Sequence, residues 1–207
     1  LMDRGFIVAI AHVRGGTEKG LRWMLDGRRK MRERSVDDFI RGAEYLVAEG
    51  LSADKKIAIH GYSAGGILIA AALNRRPDLF GAAVINMGFL DYVNSELDAS
   101  IPAAALEWAL WGDPRDAGDF EAMSRLSPYD NMKPQDYPPI LVNSARDDWA
   151  VSVHESAKFV ARLRATRTGR SALVLNILPP GRGDHNGTYL RHDLDAAKNL
   201  AFIMREL

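Results

Sequence analysis

The sequence predicts an α/β fold, a mainly parallel β-sheet with helices on both faces, and three observations carry that expectation. Short β-branched, apolar runs bounded by Gly, Pro or charged residues recur along the chain. Helical patterns fall between them, so that strands and helices alternate as they do when a parallel sheet is covered on both sides. The chain has 207 residues of which 47% are hydrophobic, enough for one sizeable core, and lengths up to about 250 are compatible with a single domain.

The expected strands are Phe6 to Ala11, Ile57 to His60, Ala83 to Met87, Ile140 to Ser144 and Ala172 to Leu178. Between the first two, Val36, Phe39, Ile40, Ala43, Leu46 and Val47 form an i, i+3, i+4, i+7 stripe. Ser35, with Asp38 three residues on, resembles a capping box at its start, and Gly50 closes it. Weaker helical patterns cover Ala64 to Asn74, Val153 to Ala165 and Leu194 to Arg205. From Asp91 to Pro139 the rhythm breaks into Pro, Asp, Trp and Tyr without a clear strand, which predicts a helical excursion over the strand ends rather than a second domain.

Charge and composition exclude several classes. Lys plus Arg (27) balances Asp plus Glu (27), so there is no strong positive field for nucleic acid or an anionic membrane. There are 0 cysteines, which removes disulfides, thiolate metal sites and cysteine nucleophiles. No apolar run approaches the roughly 18 residues of a membrane span. The start, Leu1-Met2-Asp3-Arg4-Gly5, lacks the basic and apolar regions of a signal peptide, and residues upstream are expected to be missing. A cytoplasmic setting is expected, with the periplasm open to such a chain as well.

One motif carries chemistry. Ile57-Ala58-Ile59-His60-Gly61-Tyr62-Ser63-Ala64-Gly65-Gly66 sets G-x-S-x-G directly after a strand and before a helix, the context of a nucleophile elbow in an α/β-hydrolase fold. In that turn side chains are not expected to fit at Gly61 or Gly65, the Ser63 hydroxyl is lifted clear of the sheet, and the Ala64 N–H faces a developing oxyanion. The bland alternative is a Gly-rich turn with an exposed serine. A serine hydroxyl is a poor nucleophile at neutral pH, so the motif calls for a histidine base and an orienting acid, in the chain order Ser, Asp, His.

Of the five histidines, His12 and His60 precede Ser63, His154 lies on a predicted helix face and His192 leads into the last helix. His185 remains the best candidate, in the loop Pro179-Pro180-Gly181-Arg182-Gly183-Asp184-His185 just past the last strand. For the acid, Asp147 and Asp148 share the loop after the strand at Ile140, and position alone does not separate them.

Asp3-Arg4-Gly5-Phe6, Ala11-His12-Val13-Arg14-Gly15-Gly16, Gly61-Tyr62-Ser63-Ala64-Gly65-Gly66 and Ser127-Pro128-Tyr129-Asp130-Asn131, in this order, resemble the catalytic domain of the prolyl oligopeptidase family, serine peptidase family S9, on its oligopeptidase B branch. The resemblance runs across nearly the whole chain. It implies that Ser63 is the nucleophile, Asp148 the acid and His185 the base, with no metal or organic cofactor and with short peptides as substrates. It also implies a fragment. The family carries an N-terminal β-propeller and an oxyanion tyrosine upstream of the Asp-Arg-Gly-Phe segment, which would leave Ala64 as the one oxyanion donor here.

The same resemblance points to substrate-binding positions. Oligopeptidase B cuts after Arg or Lys and receives the basic side chain in a Glu-Trp-Glu-Glu-Trp-Gly type segment. Here the segment is Glu107-Trp108-Ala109-Leu110-Trp111-Gly112, so Glu107 survives without the carboxylates that a guanidinium pairs with. Trp108 and Trp111 serve equally as core aromatics. Arg191 resembles a substrate-binding arginine, while Arg14 is expected to shape the rim of the site or a structural turn. Two other readings stand beside the peptidase. One is an esterase or acylaminoacyl peptidase on the same three residues, and the other is a non-catalytic binding domain.

Overall fold

In the computed structural model, which describes residues 1–98, 100, 101, 104–180, 185 and 192–207, four parallel strands pair in the order β1-β2-β3-β4. They are β1 (Ala58–Tyr62), β2 (Ala82–Asn86), β3 (Ile140–Ala145) and β4 (Leu173–Leu178). Register pairs Ile59 with Ala83, Ala83 with Ile140 and Ile140 with Leu173, so one row of side chains runs across the whole sheet. The helices are α1 (Leu21–Leu25), α2 (Glu33–Ala48), α3 (Ala64–Arg75), α4 (Tyr92–Leu97), α5 (Ala104–Trp111), α6 (Ala117–Leu126), α7 (Val153–Thr166) and α8 (His192–Glu206). The expected excursion between β2 and β3 is helical, as α4, α5 and α6.

Alternation along each strand divides the core. Ile59, Ala83, Ile85, Ile140 and Val142 face the larger cluster, which includes residues of α2, α3 and α7. Ala82, Val84 and Leu141 face the opposite side and meet Phe202 and Ile203 of α8. Burial on both faces of β2 and β3 explains why these two central strands are apolar runs, whereas β1 and β4 keep exposed positions at His60, Tyr62, Val174 and Ile177. Among the described residues no helix is long and apolar enough to cross a membrane.

Two local expectations are corrected. Phe6 to Ala11 is not a strand: Ile7 is 65% and Ile10 is 79% exposed, and the segment has no ladder partner. An apolar run becomes a strand only where a neighbour takes its N–H and C=O groups, and periodicity does not report the neighbour. Phe6 instead packs against the cluster under α8. The second correction concerns the helix stripe. α2 begins at Glu33, two residues before the expected cap, and its N-cap Arg32 makes no side-chain capping bond. Ser35 and Asp38 are occupied elsewhere. The Ser35 hydroxyl donates to the Arg14 carbonyl oxygen at 2.5 Å, and Asp38 accepts from the Arg14 backbone N–H at 3.0 Å and from its guanidinium at 2.7 and 2.5 Å. The two residues fasten the N-terminal segment to α2.

Candidate active site

The elbow is built by backbone geometry. Ser63 follows β1 with φ 53° and ψ −120°, a conformation that costs a non-glycine residue on the order of 1–3 kcal/mol. Hydrogen bonds on both sides hold it. Its N–H donates to the Asn86 carbonyl oxygen at 2.9 Å, and its own carbonyl accepts from Gly66 N–H at 2.8 Å and Phe89 N–H at 3.3 Å. Gly61 is sterically required, because a Cβ there would lie 2.4 Å from the Gly65 carbonyl oxygen. Gly65 is a correction to the sequence expectation, since a Cβ there would meet nothing within 4 Å. The close approach falls one residue later. A Cβ on Gly66 would lie 2.4 Å from Gly88 Cα, where α3 crosses the chain leaving β2.

Three strand ends converge on the serine. His185, beyond β4, has Nε2 2.9 Å from Ser63 Oγ. Its Nδ1 lies 2.9 and 2.8 Å from the two carboxylate oxygens of Asp148, in the loop after β3. An ionised carboxylate only accepts, so Nδ1 carries the proton and Nε2 of a neutral ring offers its lone pair to the serine hydroxyl. The Asp148 side chain is 0% exposed, and its Oδ1 also accepts from the N–H groups of Ala150 at 2.9 Å and Val151 at 3.1 Å. Asp147 is exposed on the same turn. The pair that position left open is thus separated by geometry, with Asp148 on the histidine.

Tyr62, which the sequence reading passed over, packs its ring 5.1 Å from the His185 ring at 48°. Its signal is its place next to the serine, on the strand side. The amide of Ala64, the first residue of α3, has no helical acceptor and stands beside the nucleophile. Ala64 and Gly65 also line a cavity of about 190 Å³ with Arg14, Arg32 and Leu68.

Arg32 connects this cavity to the Glu107 segment. Trp111 is buried, and its indole N–H donates to Glu107 Oε2 at 2.5 Å. Arg32 lies over the Trp111 ring, 3.5 Å from its centroid. Burial lowers the Arg32 pKa to about 10, against the raising effect of Tyr92 and Glu107. Arg115 covers the Trp108 ring at 4.0 Å. Arg14 belongs to the Asp38 fastening, where the Asp38 hydrogen bond raises its pKa. Arg191 lies outside the described residues. Among the described residues no group of three His, Asp or Glu is placed to hold a metal ion.

A strained serine at the end of a parallel strand, with a histidine and a carboxylate supplied from the next strand ends in the order Ser, Asp, His, defines an α/β-hydrolase domain. The sequence pattern of the prolyl oligopeptidase family matches residues 1–206. The chain belongs to that family. It is 38% identical over 208 residues to Protease 2 of Moraxella lacunata, covering 100% of this chain and 30% of that protein. It is 36% identical to dipeptidyl aminopeptidase BI of Pseudoxanthomonas mexicana, covering 100% of this chain and 29% of that one. Among solved structures, oligopeptidase B from Leishmania major superposes with a TM-score of 0.87 at 35% identity over 94% of this chain and 27% of the other. The chain therefore spans about 30% of the length of the curated relatives it matches.

Proposed function

We propose that this chain hydrolyses peptide bonds in short peptides through an acyl-enzyme on Ser63, with His185 as base and Asp148 as its orienting acid. The observation that carries the reading is the His185 ring, which bridges Ser63 Oγ at 2.9 Å and Asp148 at 2.8 Å. Ser63 Oγ bonds to the carbonyl carbon as its proton passes to Nε2, and Asp148 stabilises the imidazolium. The C–N bond then breaks and the amine leaves with that proton. Water, deprotonated by the same nitrogen, releases the acid and restores Ser63. The Ala64 N–H meets the oxyanion, and a second donor from outside this chain is worth about a hundred- to a thousandfold in rate. The remaining length of the relatives is the expected home of that donor and of a propeller that limits entry to short peptides.

The Glu107 segment supports an uncharged substrate side chain more than a basic one. Glu107 is engaged with Trp111, Ala109 and Leu110 bring no charge, and Arg32 lines the cavity. An esterase or acylaminoacyl peptidase uses the same three residues, so ester, N-acyl and peptide amides are the substrates to compare.

The test is labelling of the natural polypeptide with a fluorophosphonate. Incorporation at Ser63 is expected, with none in Ser63→Ala. Labelling that persists in the mutant refutes the assignment, and absence of labelling in the unmodified protein favours a binding domain.

A further inference from the structure

On the face of the sheet that carries α8, a chain of side-chain hydrogen bonds crosses all four strands, through three amides and one imidazole. Asn176 of β4 donates to Asn143 of β3 at 2.8 Å, Asn143 donates to Asn86 of β2 at 2.7 Å, and the Asn86 amide nitrogen meets His60 Nε2 of β1 at 2.8 Å. The amide nitrogen only donates, so His60 Nε2 accepts and the ring is neutral at this exposed end of the chain of hydrogen bonds. Every bond points the same way, from β4 to β1, an arrangement in which each polarises the next. Asn199 of α8 closes the network by accepting from Asn143 at 2.9 Å and donating to Asn86 at 3.4 Å.

The surroundings make this arrangement costly unless it is satisfied. Below the amides lie Ala82, Val84 and Leu141 with Phe202 and Ile203, and above them Met87, Ala145 and Leu178. Asn143 is 5% and Asn199 is 8% exposed. Apolar residues at these positions would extend the packing. A satisfied polar chain instead permits one register of strands and one seat for the helix.

The network touches every support of the reacting groups. His60 lies on β1 three residues before Ser63, and Asn86 holds the Ser63 N–H through its carbonyl. Asn143 precedes Asp148 by five residues, Asn176 precedes His185 by nine, and Asn199 sits on the helix that follows His185. We infer that the His60, Asn86, Asn143, Asn176 and Asn199 network is a positioning device that sets Asp148 and His185 against Ser63. The inference rests on the triad reading above. It concerns residues that touch no substrate and act through the strands, where displacement of a reacting group by about 1 Å costs on the order of a hundredfold in rate.

The experiment compares Asn143→Leu with Asn74→Leu in the natural polypeptide. Asn74 is also a buried amide, donating to the Pro128 carbonyl at 2.9 Å and accepting from the Tyr137 hydroxyl at 2.8 Å, but it lies outside the network. Active serine is titrated with a fluorophosphonate, and a peptidyl aminocoumarin gives kcat per titrated site, KM and the pH profile. Asn143→Leu is expected to lower kcat per site by about ten- to a hundredfold, with KM within about twofold and a shifted acid limb. Asn74→Leu is expected to lower Tm alone. Asn199→Leu leaves the three strand amides in place and gives the same readout where Asn143→Leu does not fold. Equal kcat per site in the network variants and Asn74→Leu overturns the inference while leaving the triad reading intact. A wild-type protein that fails to label removes both.

Discussion

The Arg32 guanidinium lies over the Trp111 ring, 3.5 Å from its centroid, and the same indole donates its N–H to Glu107. One aromatic ring therefore links an anion to a cation, Arg32, that lines the same cavity as Ala64 and Gly65. The carboxylate that the family resemblance offers to a basic substrate is already hydrogen-bonded, with a positive charge close by.

This arrangement predicts specificity. Peptidyl aminocoumarins with an apolar residue before the scissile bond are expected to exceed arginyl ones in kcat/KM by about tenfold or more. Restoring acids at the two exposed positions, Ala109→Glu with Leu110→Glu, is expected to reverse the order, since a charge-assisted bond of about 1.4 kcal/mol is worth a factor of ten. Steady-state kinetics on the paired substrates decides it, and an arginyl preference in the unmodified protein refutes it.

Asp148→Asn is expected to lower kcat by about ten-thousandfold while leaving the fold intact, because an amide can donate to Nδ1 and turn the ring to the wrong tautomer. Asp147→Asn, one residue away and exposed, is expected to stay within about threefold. Measured together, the two variants separate the candidates by function as geometry separates them by distance. Comparable losses in both would reject the role of Asp148.

Much of this site is legible in sequence because its parts are local. Ser63 is marked by a strand, a turn that excludes a side chain at Gly61, and a helix, all between Ala58 and Arg75. His185 and the Asp147/Asp148 pair are legible because they follow strands, and the ends of parallel strands collect functional groups. What fails is tertiary. Ser35 and Asp38 have capping-box spacing, but Arg14, more than twenty residues away, competes for both side chains and wins. Phe6 to Ala11 has the composition of a strand and no neighbour to pair with. The amide network leaves a signal only in register: Asn86, Asn143 and Asn176 fall in one row once the strands are aligned.

The Arg14–Asp38 fastening predicts an acid-sensitive stability term. Its hydrogen bonds from Arg14 hold the Asp38 pKa below the ordinary carboxylate range. A depressed folded-state pKa means that the stabilisation is present above the unfolded value, near 3.9, and is lost as pH falls through the folded one. Asp38→Asn is therefore expected to cost about 1 kcal/mol at pH 7, allowing for solvent screening, and less at pH 2, below the unfolded value. Denaturant melts at the two values check it, and an equal loss at both would show that packing rather than charge carries the effect.

Glu96 works in the opposite direction. It is 3% exposed, its Oε2 is buried without a hydrogen-bond partner, and burial, with Glu107 and Glu155 nearby, raises its pKa to about 8. Glu155, buried against the Leu90 and Asp91 amides at 2.6 and 2.9 Å, is raised by burial to about 7. A carboxyl whose folded-state pKa lies above its unfolded value near 4.3 holds more protons when folded, so stability declines as pH rises between the two values. For Glu96 that window runs from about 4.3 to 8, and the full penalty applies above it. Glu96→Gln, which keeps the shape and removes the ionisation, is expected to raise Tm at pH 9 and to change it little at pH 5. The difference in Tm between these pH values should shrink in the variant. If Glu96→Gln lowers Tm equally at both, the carboxylate has a partner that the amide cannot replace, and the sign of its contribution is reversed.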